Sequence, residues 1–183
     1  MSRHQTLPSP LAISEHDHVR GPASALVTLL EYGDYECPHC GQAHPVVEQL
    51  ESRLGDEMRF VYRHFPLSQI HPHAVLAAEA AEAAGAQGRF WEMHDMLFAN
   101  QEALDGEDLA RYAASIDLEL DRFLDDLAAH KYESRVRESF MSGVRSGVNG
   151  TPTFFIDGIR FDGPPQYGAL LSAMEAVAAE KGG

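Results

Sequence analysis

Residues 25–65 constrain the chain most. Ala25–Tyr32 (ALVTLLEY) is a short, nearly continuous apolar run, the pattern of a strand covered on both faces. Val46, Val47, Leu50 and Leu54 then recur at helical spacing, and Gly55 supplies a stop. Met58–Phe65 (MRFVYRHF) alternates as a second strand. Strand, helix and strand within about forty residues form a βαβ unit, whose crossover is expected to be right-handed. Pro45 removes a backbone donor and crowds the preceding turn, so a kink is expected there.

The chain's two cysteines lie at the first strand–helix junction, in Cys37-Pro38-His39-Cys40. Structural bridges usually close long loops, where they constrain the unfolded chain most. This pair closes almost none, so a small disulfide that forms and reopens by exchange explains it better than stapling. Exchange proceeds by thiolate attack, so one sulfur must ionise near neutral pH. Cys37 falls at the helix start, where unpaired N–H groups and the helix dipole favour an anion. Pro38 fits the first turn, where its missing donor costs nothing. His39 can add a positive charge or a hydrogen bond. Cys40 lies one turn inward, where burial keeps a thiol protonated. Cys37 is therefore assigned as the nucleophile and Cys40 as the resolving thiol.

A magnitude sets the expected direction. An unperturbed cysteine, with pKa about 8.5, is only about 3% thiolate at pH 7. Lowering it by about three units stabilises the reduced, ionised form by roughly 4 kcal/mol, or roughly 90 mV toward an oxidant. Glu31 shares strand parity with Val27 and Leu29, which points it into the core beneath the cysteines. A desolvated carboxyl there has a raised pKa and can serve Cys40 as a proton shuttle.

Residues 1–24 read as a polar arm punctuated by Pro8, Pro10, Gly21 and Pro22. Between about His73 and Gly147 the pattern is helical, with stripes at Leu76–Ala84, Phe90–Leu97, Leu109–Ile116, Phe123–Ala128 and Val136–Val144. Thr153–Ile156, then Asp157-Gly158, then Ile159–Phe161 is a hairpin signal, because a type I′ turn needs positive φ at both central residues. A last helix carries Tyr167, Leu170, Leu171, Met174 and Val177 on one face. The expected division is an arm (1–24), a βαβ half (25–68), a helical insertion (69–147) and a ββα half (148–183), in one domain overall.

EYGDYECPHC at 31–40, the helical block, and GTPTFFIDG at 150–158 together resemble the thioredoxin-like superfamily, and within it the DsbA-like thiol–disulfide oxidoreductases. The resemblance covers roughly residues 20–180 and is nearest to DsbA-like proteins that stand alone or are fused to NhaA-type antiporters. It implies an α/β thioredoxin fold with a helical insertion between its βαβ and ββα halves. It also implies a buried carboxylate at Glu31 and a substrate-binding element at Thr151-Pro152. In such proteins the matching proline is cis and lies against the disulfide, leaving the preceding backbone to pair with an extended substrate. The implied partners are protein substrates with thiols or disulfides and a redox partner system. No metal or organic cofactor is implied.

A formal net charge of −14 argues against nucleic acid and anionic membrane surfaces, which need clustered Lys/Arg. Met1–Arg20 lacks a basic start and an apolar stretch, so no secretory signal is read and a cytoplasmic address is expected. No apolar run is long enough to span a bilayer, so no antiporter is expected. Alternatives stay open. The cysteines could form a zinc half-site, His39 could be a solvated turn residue, and Glu31 an ordinary strand-end carboxylate. A disulfide reductase or isomerase, or a redox-sensing chaperone-like binding module, would carry the same residues. His16-Asp17-His18 and His71-Pro72-His73 are read as solvated or capping, and the acidic stretches Glu102–Asp108 and Asp117–Asp126 as solvated helix faces.

Overall fold

A computed structural model describes residues 9–182, so the first eight residues of the arm, Pro8 included, lie outside the described residues. Five strands form one sheet in the order β1 (His18–Arg20), β3 (Met58–His64), β2 (Val27–Gly33), β4 (Thr153–Ile156), β5 (Ile159–Phe161). Strands β2 and β3 pair in parallel, with Glu31 opposite Tyr62, and every other pair is antiparallel. Helix α1 (Pro38–Leu54) is the crossover between β2 and β3. The helical block holds α2 (Ala74–Gly85), α3 (Phe90–Ala99), α4 (Gly106–Ser115), α5 (Leu120–Ala128) and α6 (Glu133–Arg145), and α7 (Tyr167–Gly182) follows β5.

The apolar run of β2 is buried on both faces for the expected reason. Val27 and Leu29 join Phe60, Phe154, Ile156, α1, α7 and the insertion in a large core. Leu30 and Tyr32 join Val61, Phe65, Phe155 and Phe140 of α6 in a smaller one behind the sheet. Helix α1 runs unbroken through Pro45 to its stop at Gly55. A proline in a helix interior costs about 3 kcal/mol, whereas burying Val47, Leu50 and Leu54 contributes roughly 1.5–3 kcal/mol each, so packing wins. Helix α2 buries seven alanines, and their small side chains let neighbouring helices approach. At the hairpin, Asp157 and Gly158 both have positive φ, 48° and 81°, and the Asp157 carboxylate accepts from Thr28 N–H at 2.9 Å.

Two expectations are corrected. The arm is not merely polar punctuation, since His18–Arg20 adds an antiparallel edge strand to β3. Arg63 holds the arm down by donating to Asp17 at 2.7 and 2.9 Å and to the Ala12 carbonyl. Nor are the acidic stretches wholly solvated. Asp105 and Asp108 form a reciprocal capping box at the start of α4. Asp126, 6% exposed, accepts from Lys131 and from Tyr132 Oη. Among the described residues no helix is long and apolar enough to cross a membrane.

Candidate active site

The chain leaves β2 into Asp34-Tyr35-Glu36-Cys37, a loop wired by residues distant in sequence. Buried Asp34 accepts from Glu36 N–H (2.8 Å) and Leu67 N–H (2.9 Å) and pairs with His71 Nδ1 (2.7 Å). The Asp34 carbonyl accepts from Cys37 N–H at 3.1 Å. Glu36 pairs with the backbone N–H and Nδ1 of His73 at 2.7 and 2.8 Å. Gln101 Nε2 donates to the carbonyls of Tyr35 (2.9 Å) and Cys37 (2.8 Å). Both histidines of His71-Pro72-His73 thus clamp carboxylates of the loop; His71 is not solvated, and neither residue was foreseen in this role.

Cys37 is the N-cap of α1 and Pro38 its first residue. The Cys37 side chain makes no capping bond, so it leaves the helix's free N–H groups to face the sulfur. Its pKa falls to about 5, chiefly through a hydrogen bond from Cys40, helped by Thr151 and by the backbone N–H groups of Cys40 and His39, against the opposing effect of burial. As a neutral thiol, Cys37 donates to the Thr151 carbonyl at 3.5 Å. Once ionised it can only accept, and the buried Thr151 hydroxyl, otherwise unpartnered, is the donor at hand. Cys40 is fully buried, and desolvation, the bond to Cys37 and the nearby Glu31 push its thiol well above the ordinary range. Both thiols are free in this structure.

Glu31 is 2% exposed and its Oε1 has no hydrogen-bond partner. Burial, then the Cys37 charge, pushes its carboxyl up to about 8. The ordinary strand-end reading therefore does not describe it. The Thr151–Pro152 peptide is cis and leads into β4, which pairs with β2 through Glu31 and Phe154. His39 differs from expectation. Its side chain is exposed and, among the described residues, makes no hydrogen bond, so the contribution seen comes from its backbone N–H. It borders a shallow depression with Val46, Pro165 and Tyr167.

Beneath Glu31 lies a polar layer with no local sequence signal. Tyr35 Oη bonds His94 Nδ1 at 2.9 Å, both groups being fully buried. Farther out, His18 and His64 each bond Glu82 at 2.8 Å. His18 is thus part of an internal cluster, which corrects its reading as solvated.

A family model described as "Thioredoxin" matches residues 14–176. Among curated relatives, the Na(+)/H(+) antiporter NhaA 3 of Salinispora tropica is 51% identical over 162 residues, 87% of this chain and 24% of that protein. NhaA 1 of a Mycobacterium species (strain KMS) is 43% identical over 164 residues, 88% of this chain and 27% of that protein. The chain spans about a quarter of the length of these relatives. Among solved structures, oxidised BdbD of Bacillus subtilis superposes with TM-score 0.82 at 20% identity, covering 90% of this chain and 94% of that one. A thioredoxin-like oxidoreductase from Silicibacter pomeroyi gives 0.77 at 26% identity (91% and 94%), and alpha-DsbA1 of Wolbachia pipientis 0.81 at 19% (94% and 97%). With its strand–CPHC–helix unit, helical insertion and Thr-Pro-led hairpin, the chain belongs to the thioredoxin family and has the DsbA-like form of its fold.

Proposed function

We propose that this chain is a protein thiol–disulfide oxidoreductase working through Cys37 and Cys40. One observation carries the reading. Two thiols one helical turn apart are driven in opposite directions, Cys37 down to about 5 and Cys40 up, over a buried carboxyl with no other partner. A structural pair needs no such asymmetry, and a zinc half-site would need further ligands that the wired loop does not bring.

In the forward reaction a substrate thiolate attacks Cys37 of the oxidised pair. The Cys37–Cys40 bond breaks, a mixed disulfide forms at Cys37, and Cys40 leaves as a thiolate. Cys40 then takes up a proton, relayed through the neighbouring Glu31 carboxyl. A second substrate thiolate attacks the substrate sulfur of the mixed disulfide, closing the product disulfide and releasing Cys37 as a stabilised thiolate. Two electrons stay on the enzyme, which a redox partner must remove. The Thr151-Pro152 segment is the place for an extended substrate backbone, and His39 stands exposed at the rim. Moving the Cys37 pKa from 9.0 to about 5 stabilises the reduced form at pH 7 by roughly 3 kcal/mol, or roughly 60 mV toward an oxidant, because only the part of the shift below pH 7 counts there.

The test is an equilibrium titration of the pair against glutathione, together with oxidation of a reduced, unfolded client. A potential well above thioredoxin's with rapid client oxidation is expected. A potential near thioredoxin's would favour a reductase, and client binding without turnover would leave only a binding module.

A further inference from the structure

We propose that His18, His64 and Glu82 form a binding site for a divalent transition-metal ion of the zinc class. The three residues come from β1, β3 and α2, and one donor atom of each lies within 4.8 Å of the others. His18 Nε2 and His64 Nε2 both stand 2.8 Å from the same oxygen, Glu82 Oε1. A tetrahedral ion with bonds of about 2.0–2.1 Å holds its donors roughly 3.3 Å apart. The cluster therefore needs to open by only about half an ångström to take the ion.

The ligands are already fixed. The His18 ring stacks on Phe90, with centroids 3.4 Å apart and planes 3° from parallel. Gly85 leaves room for that ring, since a Cβ there would come within 3.2 Å of His18 Cε1. His64 is 2% exposed and packs edge-on against Tyr62 and Phe90. Arg135 Nε holds the other Glu82 oxygen at 2.7 Å, the kind of outer contact that orients a ligating carboxylate. Binding requires each imidazole to present a lone pair at Nε2 and carry its proton on Nδ1. His64 Nδ1 has no hydrogen-bond partner, so that exchange of tautomer breaks no bond there.

The cluster faces a cavity of about 190 Å³, bordered also by Glu138, Ser139 and Arg145, which gives an ion a way in and leaves room for water at a fourth position. Two imidazoles with one carboxylate suit zinc-class ions, whereas calcium and magnesium favour oxygen alone. An ion here would join the N-terminal edge strand, the central sheet and the helical insertion.

The experiment uses the full chain carrying Cys37→Ser and Cys40→Ser, so that no thiol can ligate, stripped with a chelator. Zn²⁺ is titrated by calorimetry and Co²⁺ by its visible absorption. One ion per chain is expected, with cobalt bands of nitrogen and oxygen ligation and no uptake of calcium. His18→Phe keeps an aromatic ring over Phe90 but removes a donor, and should weaken zinc by about 100-fold or more, with circular dichroism confirming the fold. Absence of saturable zinc uptake would overturn the proposal. So would unchanged affinity in His18→Phe, including the case where His44→Phe abolishes binding and places the ion at His44, His94 and Asp95 instead.

Discussion

Replacing Cys40 with alanine removes the largest influence holding the Cys37 thiolate, the hydrogen bond from the second thiol. A hydrogen bond to a charged acceptor is worth about 1.5–3 kcal/mol, and one pKa unit is 1.36 kcal/mol, so the loss should raise Cys37 by about 1–2 units. The midpoint moves from about 5 to about 6–7, and the thiolate fraction at pH 7 falls from about 99% to roughly 50–90%. The midpoint must be read from the ultraviolet absorbance of the thiolate across pH. An alkylation rate at one pH would mislead, because a more basic sulfur is also the better nucleophile and offsets its smaller ionised fraction. A midpoint unchanged in Cys40→Ala would mean that the helix N–H groups hold the charge alone, and the paired-thiol argument would fall. A wild-type midpoint near 8.5 would remove the premise altogether.

Glu31→Gln should slow proton-coupled steps at Cys40 while leaving Cys37 reactive, as followed by stopped-flow resolution of a mixed disulfide. The folded pKa of Glu31 is raised, so its favourable contribution is present below 4.5 and lost as pH rises through about 8. Urea unfolding of the reduced protein should therefore show Glu31→Gln gaining on wild type across that window, by at most roughly 5 kcal/mol. Asp17→Asn leaves Arg63 buried without its counter-charge and should lower stability by about 3 kcal/mol, with earlier protease cleavage in the arm. Gly143→Ala would place a Cβ 2.7 Å from the Phe65 ring and 3.1 Å from Tyr32, and should lower the denaturation midpoint by about 1–3 kcal/mol in stability.

What was legible in the sequence depended on how local its cause was. Burial of β2 on both faces, the Gly55 stop, all five helices of the insertion and the Asp157-Gly158 turn each follow from signals within a few residues. Glu31 could be placed in the core because parity along a strand leaves two directions, and Val27 and Leu29 mark one of them. Strand β1 was missed because three half-buried residues carry no alternation to read. Asp105-Gly106-Glu107-Asp108 contains a cap followed three residues later by an acid, a signal that a run of acidic residues disguises as surface charge. Gln101, His71 and His73 carry no local signal, since each acts on a backbone or carboxylate at least 37 residues away. The place of His39 between the cysteines is legible, but the outward turn of its side chain follows from helix geometry, and its backbone N–H is the group that reaches the Cys37 sulfur.

The site under α1 admits one negative charge at a time, and this links the two cysteines to Glu31. Between about pH 5 and about 8 the charge sits on Cys37, while Glu31 and Cys40 keep their protons. Burial is the main reason for the high Glu31 pKa, and the Cys37 charge is the second. Forming a disulfide at Cys37 removes the second cause without touching the first. Glu31 should then become more acidic in the oxidised protein and in the mixed disulfide, so that its carboxylate is available when Cys40 must lose a proton. In the reduced state it returns to the protonated form and no longer competes with the thiolate. Infrared titration of the carboxyl C=O band, assigned by its loss in Glu31→Gln, reads this directly. The midpoint should lie below about 8 when oxidised and rise on reduction. Equal midpoints in the two redox states would show that the carboxyl does not sense the sulfur, and its role as proton carrier for Cys40 would have to be abandoned.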